Sequence, residues 1–262
     1  MSSLRVGWIQ PDTTWENPQA NIEYIDRLLD QQATEVWVLP EMWSTGFSME
    51  VERAEDEGGP SLQAMRRWAR EQQALIIGSV KVRLPGEPQG RNRAYGVYPD
   101  GSYTYYDKRH LFRMAQEHLY YIPGTQQSVW IWKGWRIAVQ VCYDLRFPVW
   151  ARRSPTYDYE LLIYVANWPA PRHEAWQKLL PARAIENQAY VLGVNRIGQD
   201  GKGHSYQGGS SLWSFKGEKL LHSGAAEGAF VAEIHQEALH AFRAQFPAHL
   251  DADFFTILPS TT

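Results

Sequence analysis

Cys142, Glu41 and Lys108 could together supply a nucleophile, a base and a cation. Cys142 ends the apolar run Trp135–Val141 and precedes Tyr143-Asp144-Leu145-Arg146-Phe147-Pro148. A lone cysteine is most often a small buried hydrophobe. A strand end that opens into a polar, charged turn is where an α/β fold exposes reactive groups. Attack requires the thiolate, and a nearby cation favours it. Glu41, in LPEMWSTGF, directly follows another apolar run. A carboxylate there could take a proton from the thiol and later from water, although alone it reads as a solvated loop residue or a cap. Lys108, in YDKRHLF, could stabilise a developing oxyanion, whereas most lysines are simply exposed. Glu117 and His118, in AQEHLYY, could orient Lys108 or face a substrate, or be ordinary loop residues.

The elements that must position these residues alternate from the start. Val6–Gln10 reads as a strand. Asn17 offers an N-cap and Pro18 a first helical position, with Ile22, Ile25, Leu28 and Leu29 following at helical spacing. Glu35–Leu39 is the next strand. Ser61–Gln72 is a helix with Leu62, Met65, Trp68 and Ala69 on one face, and Ala74–Val82 a strand. Arg93–Tyr98 and Ser102–Tyr106 form a hairpin around Asp100-Gly101. The second half repeats this grammar. Val129–Trp132 and Arg136–Val141 are strands around Gly134, and Leu161–Ala166 is a continuous apolar run suited to a strand covered on both faces. Trp176–Gln188 reads as a helix that Pro181 must start, kink or split. Tyr190–Asn195 is a strand, Ser210–Phe215 and Lys219–His222 a hairpin around Lys216-Gly217, Phe230–Ile234 a strand and Gln236–Ala244 a late helix. Phe246–Thr262 has no regular period. Strands interleaved with helices imply a layered α/β architecture, and no linker-like segment divides residues 1–262, which read as a single domain. No sequence repeat of about 20–50 residues is visible.

The totals bound what such a domain does. The chain has 262 residues and a formal net charge of −3. A chain this long buries about 75% of its unfolded-state surface and needs no staples. Its single cysteine forbids an internal disulfide and fits a reducing, cytoplasmic setting. MSSLRVGWIQP lacks the basic start and apolar stretch of a secretory signal. Leu161–Ala166 is far short of the roughly 20 apolar residues that span a bilayer, so no membrane is expected as a partner. Arg66-Arg67 and Arg152-Arg153 are isolated basic pairs, which gives nucleic-acid binding no electrostatic support. GxGxxG, P-loop, HExxH and GxSxG patterns are missing, and the histidines show no metal-ligand spacing. No metal or cofactor is expected. The tryptophan-rich composition reads mainly as a core built on large aromatics.

Taken together, LPEMWSTGF, YDKRHLF and VCYDLRFP resemble the nitrilase, or carbon–nitrogen hydrolase, superfamily, and the likeness runs on through NWPAPRHEAW and ARAIENQAYVLGVNR. The phrases around Glu117, Trp168 and Arg183–Asn187 look most like its bacterial omega-amidase branch, whose members hydrolyse the terminal amide of 2-oxoglutaramate and 2-oxosuccinamate. The resemblance implies a four-layer αββα sandwich, often paired into an eight-layer homodimer. It implies Glu41 as general base, Lys108 as oxyanion-stabilising lysine, Cys142 as nucleophile and Glu117 as a supporting glutamate. It further implies that Arg146 holds a substrate carboxylate and that Phe47, His118 and Trp168 form the pocket wall. On physical grounds the backbone N–H of Tyr143 would join Lys108 at the oxyanion, and Arg suits a carboxylate by its forked donors, with Arg172 in reserve to Arg146 or simply a surface residue. Position 47 is Phe where relatives often carry Tyr. The implied substrate is a small anionic amide.

Rival readings follow from the same residues. Within the superfamily these are an amidase for deaminated glutathione or another carboxylated amide, and, less like this sequence, a nitrile hydrolase. A papain-like hydrolase would instead pair Cys142 with a histidine, His110 or His204 by context. A non-catalytic binding protein on the same fold would need none of the three.

Overall fold

The computed structural model describes residues 3–29, 32–253 and 255–257. Strands β1 (Ser3–Gln10), β2 (Val36–Val38), β3 (Glu55–Asp56), β4 (Leu75–Arg83), β5 (Arg91–Val97) and β6 (Tyr103–Asp107) belong to one sheet. Strands β7 (Val129–Trp132), β8 (Trp135–Val141), β9 (Leu161–Val165) and β10 (Tyr190–Val194) begin a second. A small ribbon joins β11 (Ile197–Gln199) and β12 (Ser205–Gln207), after which β13 (Ser211–Trp213) and β14 (Lys219–His222) complete the second sheet. The chain then returns as β15 (Gly228–His235) to pair with β1.

The two halves share one topology. In the first sheet β1, β2 and β4 run parallel, and β5 and β6 follow antiparallel. In the second, β8, β9 and β10 run parallel, and β13 and β14 follow antiparallel. β15 and β7 close the other edges. The halves therefore repeat in strand order although their sequences do not.

Period-two alternation sorts the side chains into layers. Val6, Trp8, Val36, Val38, Leu75 and Ile77 meet Ile137, Val139, Leu161, Ile163, Leu192 and Val194 between the sheets. The intervening residues Trp37, Ile76 and Val80 face helices α1 (Pro18–Leu29) and α2 (Pro60–Gln72). Beyond α3 (Glu117–Tyr120) and α4 (Pro148–Ala151), helix α5 (His173–Asn187) covers the outer face of the second sheet, where Trp176, Leu180 and Ala184 pack on Ala138, Leu162 and Val191. The result is helix, sheet, sheet, helix, the expected αββα order. α6 (Gln236–Gln245) adds Leu239 to the intersheet core.

Local chemistry explains the element ends. Asn17 Oδ1 accepts from the Ala20 N–H at 3.2 Å, capping α1. Trp132 pairs with Trp135 across Lys133 and Gly134, which take φ of 46° and 82°. Positive φ at both central residues is the tight hairpin turn whose twist matches the strands. Of the three outcomes expected for Pro181, starting and splitting are absent: α5 runs through it as one element. Packing of the Trp176–Leu180–Ala184 stripe supplies what the proline's missing N–H removes. β11, β12 and β3 are too short to show a period, and the sequence reading missed them. Of the C-terminal segment, Ala248–Asp251 forms a 3₁₀ turn.

α5 sits close to its sheet because β10 carries a glycine. A β-carbon at Gly193 would lie 2.5 Å from Leu180 Cδ1 and 2.6 Å from Trp176 Cζ2. Gly193→Val forces α5 outward and lowers unfolding stability by about 1–3 kcal/mol. Urea denaturation measures this, and an unchanged midpoint refutes the close approach.

Candidate active site

The chemistry-bearing residues gather where strands of both sheets end. Leu39 and Pro40 separate Glu41 from β2, Lys108 directly follows β6, and Cys142 directly follows β8. β2 and β6 run in the same sense, since β4 is parallel to β2 and two antiparallel steps separate β6 from β4. Asn167 stands just beyond β9. Carboxyl ends of parallel strands leave such a crevice open to a ligand.

The turn after β8 is strained. Cys142 has φ +45° and opens a 3₁₀ turn over Cys142–Arg146. A β-carbon residue in this region is held there by its surroundings. Asp144 does the holding: Oδ2 accepts from the Val141 N–H at 3.0 Å and from Tyr106 Oη at 2.7 Å. Oδ1 accepts from the His110 N–H at 2.9 Å and lies 2.7 Å from His110 Nδ1. One buried carboxyl thus ties the cysteine turn to the segment that carries Lys108.

Lys108 is buried between two carboxylates. Its Nζ is 2.8 Å from Glu41 Oε1 and 2.9 Å from Glu117 Oε2. Burial opposes its charge, but Glu117 and Glu41 more than offset this and raise its pKa, so it is held as an ammonium. Two carboxylates around one ammonium leave a net negative charge, and neutral donors meet it. Asn92 Nδ2 reaches Glu41 Oε1 at 2.8 Å and Glu117 Oε1 at 3.2 Å. The Asn167 N–H reaches Glu41 Oε2 at 2.9 Å, and the Phe112 N–H reaches Glu117 Oε2 at 2.6 Å. Asn167 Nδ2 also donates to the Glu41 carbonyl. Glu117 still has a raised pKa, through burial first, with Lys108 opposing and Glu41 reinforcing.

Cys142 Sγ lies 3.8 Å from the Asn167 carbonyl. Burial pushes the thiol well above its ordinary range, the Glu41 carboxylate pushes it further, and Lys108 pulls the other way. The geometry therefore favours a neutral thiol beside a carboxylate over a preformed thiolate.

Cys142 and Lys108 open onto a cavity of about 450 Å³ that Phe47, Tyr143, Arg146 and Trp168 also line. The Phe47 ring lies 4.9 Å from Lys108 Nζ, a cation–π contact in place of any hydroxyl contact from this position. The Arg146 guanidinium stacks 5.0 Å from the Trp168 ring, and that of Arg172 lies 5.3 Å from the Phe112 ring. His118, one residue after Glu117 on α3, is not among the residues that line this cavity. Neither candidate histidine hydrogen-bonds Cys142. His110 pairs with Asp144 and stacks on Phe147 at 3.8 Å, and His204, at the cavity rim, pairs with Asp200. Sequence reasoning missed Asn92 and Asn167, as well as Ser79, whose hydroxyl meets Asn92 Oδ1 at 2.9 Å, and Lys202 on the cavity lining. Asn92 fell just before the strand expected at Arg93–Tyr98, and only the structure places it inside β5.

A carbon–nitrogen hydrolase family model matches residues 5–244. The chain is 46% identical to the omega-amidase YafV of Yersinia enterocolitica, over 98% of this chain and 100% of that one. It is 32% identical to the 2-oxoglutaramate amidase of Bacillus subtilis, over 94% of this chain and 96% of that one. The crystal structure of XC1258 from Xanthomonas campestris, a CN-hydrolase superfamily protein with an arsenic adduct in its active site, matches with a TM-score of 0.94 at 43% identity, over 98% of this chain and 100% of that one.

The electrostatics make a signed prediction. Alkylation of the free protein by iodoacetamide keeps accelerating above the ordinary thiol range of about 8.5. Glu41→Gln removes a carboxylate beside the sulfur and moves that profile to lower pH, while Lys108→Met moves it to higher pH. Mass spectrometry of Cys142 against pH reads both shifts, and a profile that levels off below the ordinary range contradicts the assignment.

Proposed function

The chain belongs to the carbon–nitrogen hydrolase family, and we propose that it is an omega-amidase, hydrolysing the terminal amide of 2-oxoglutaramate and 2-oxosuccinamate to the dicarboxylate and ammonia. The observation that carries the reading is the meeting of thiol, carboxylate and ammonium at a cavity whose wall holds arginines. Among the described residues neither Arg146 nor Arg172 has an acidic partner; Arg172 Nη2 meets Met114 Sδ at 2.6 Å, so Arg146 is the one whose forked donors are open to a substrate carboxylate.

The proposed reaction uses each group once per half-cycle. Glu41 takes the Cys142 proton as sulfur attacks the amide carbon. The oxyanion lies between Lys108 Nζ and the N–H of Tyr143, an amide in the first turn of the 3₁₀ segment where helical acceptors are lacking. The protonated Glu41 then gives its proton to the amine, the C–N bond breaks, ammonia leaves and a thioester remains. Water enters, Glu41 takes one of its protons, and hydroxide attacks the thioester. The C–S bond breaks, and the proton on Glu41 restores the thiol. Glu117 holds Lys108 in place throughout. An ammonium fixed between two carboxylates cannot act as the base, which leaves that task to Glu41. Phe47, Tyr143 and Trp168 form walls that exclude bulk water from the carbonyl.

We further propose that residues 1–262 act as one hydrolase domain, cytoplasmic and homodimeric.

Ammonia release from 2-oxoglutaramate tests the reading, with Cys142→Ala as the blank and deaminated glutathione and a simple nitrile as comparisons. Glu41→Gln lowers kcat by about 10²–10⁴-fold. Arg146→Gln raises KM by about tenfold or more with a smaller change in kcat. No ammonia from 2-oxoglutaramate in the wild type overturns the substrate assignment.

A further inference from the structure

Asn92 lies on β5 with 1% of its surface exposed, against both glutamates. The orientation of its amide follows from a neighbour that can only donate. The Met42 N–H meets Ser79 Oγ at 2.8 Å, so that oxygen is the acceptor. The Ser79 hydroxyl hydrogen is then directed to Asn92 Oδ1 at 2.9 Å. The other arm of the amide must be the NH₂, and its two hydrogens meet Glu41 Oε1 at 2.8 Å and Glu117 Oε1 at 3.2 Å. A flipped amide would set its oxygen against two carboxylates and leave two donors facing a hydroxyl.

This sets the two oxygens of Glu41 apart. Oε1 accepts from Asn92 Nδ2 and from Lys108 Nζ, both at 2.8 Å, which uses its two lone pairs. Oε2 accepts one hydrogen bond, from the Asn167 N–H at 2.9 Å, and keeps a lone pair. We propose that Asn92 is a positioning residue that confines the mobile proton of both half-reactions to Glu41 Oε2. That oxygen is the one anchored to Asn167, whose carbonyl contacts Cys142 Sγ. The thiol proton passes to Oε2 and then to the departing amine. In the second half, a water proton passes to Oε2 and then back to sulfur. By donating to both Oε1 atoms at once, Asn92 also disfavours a proton shared between the two glutamates, which would leave the base neutral.

The inference rests on the proposed amidase reading, so its test separates the two. Asn92→Leu keeps the size of the side chain and removes both donors. Asn92→Asp keeps the shape and places a third carboxylate at the same point. The acid limb of kcat/KM against pH is measured for ammonia release from 2-oxoglutaramate and for hydrolysis of p-nitrophenyl acetate. The ester acylates a cysteine through the same base whatever the natural amide is. Loss of a donor favours the protonated base, so Asn92→Leu moves the acid limb up by about one pH unit, and Asn92→Asp moves it further. Thermal unfolding is followed alongside, and if Asn92→Leu does not fold, Asn92→Asp decides. An acid limb that stays in place, with activity falling only in proportion to the folded fraction, overturns the proposal. A wild type that turns over the ester but not the amide overturns the substrate reading and leaves this test intact.

Discussion

The buried ammonium of Lys108 between Glu41 and Glu117 is the interaction on which the site depends. Each buried ion costs several kcal/mol of lost hydration, so such a trio persists only when its geometry is close and its remaining lone pairs are satisfied. Both conditions are met by groups fixed elsewhere in the fold: Asn92 on β5, the Phe112 amide before α3, and the Asn167 amide beyond β9. The consequence for chemistry is a division of labour. The lysine is locked as a cation, and the thiol beside it is kept neutral by burial and by the Glu41 carboxylate. Sulfur becomes nucleophilic, in the proposed reaction, only while it hands its proton to Glu41. In the proposed reaction this couples deprotonation to attack and leaves no idle thiolate exposed to oxidants.

The sandwich is the instrument that sets these distances. Glu41 and Lys108 follow strands of the first sheet, Cys142 and Asn167 strands of the second. Among the bonds across the gap are the two that Asn167 makes to Glu41, together with Tyr106 and His110 meeting Asp144. The intersheet core, rich in Val, Ile and Leu at alternate positions, fixes how far apart the sheets stand. A core substitution that shifts one sheet by a fraction of an ångström therefore acts on catalysis as well as on stability. The φ of +45° at Cys142 belongs to the same design. Asp144 holds the sulfur-bearing residue in a conformation its β-carbon disfavours, and a tether reaching across from the first sheet makes that possible.

Legibility in the sequence tracked the range of the forces involved. The main strands and helices were visible because side-chain alternation and helical spacing are local. Asn17, Gly134 and the Leu62–Met65–Trp68–Ala69 face could be read residue by residue. Cys142, Glu41 and Lys108 each had a weak local signal, a reactive type at a strand end, and became a set only through the resemblance carried by three motifs. Asn92, Asn167 and Ser79 were illegible because their meaning lies in partners 13 to 126 residues away. Adjacency to Glu117 does not carry His118 to the cavity lining, because neighbours on a helix point about 100° apart. Pro181 leaves α5 whole because tertiary packing of the helix outweighs the hydrogen bond that a proline removes.

The same electrostatics bear on the end of the proposed cycle. Lys108 is committed to two glutamates, so the carboxylate already on the substrate must find its cation elsewhere, and Arg146 and Arg172 stand on the wall of the cavity for it. Hydrolysis of the thioester then creates a second carboxylate beside Cys142, next to Glu41 and close to Glu117. Three carboxylates around one ammonium, in a setting drier than bulk water, repel one another strongly. The acyl group was neutral at that point until the last step, and the product is not. The arrangement that lets the amide in thus disfavours the acid it makes, and release of the dicarboxylate follows from the charge balance that holds Lys108 in place.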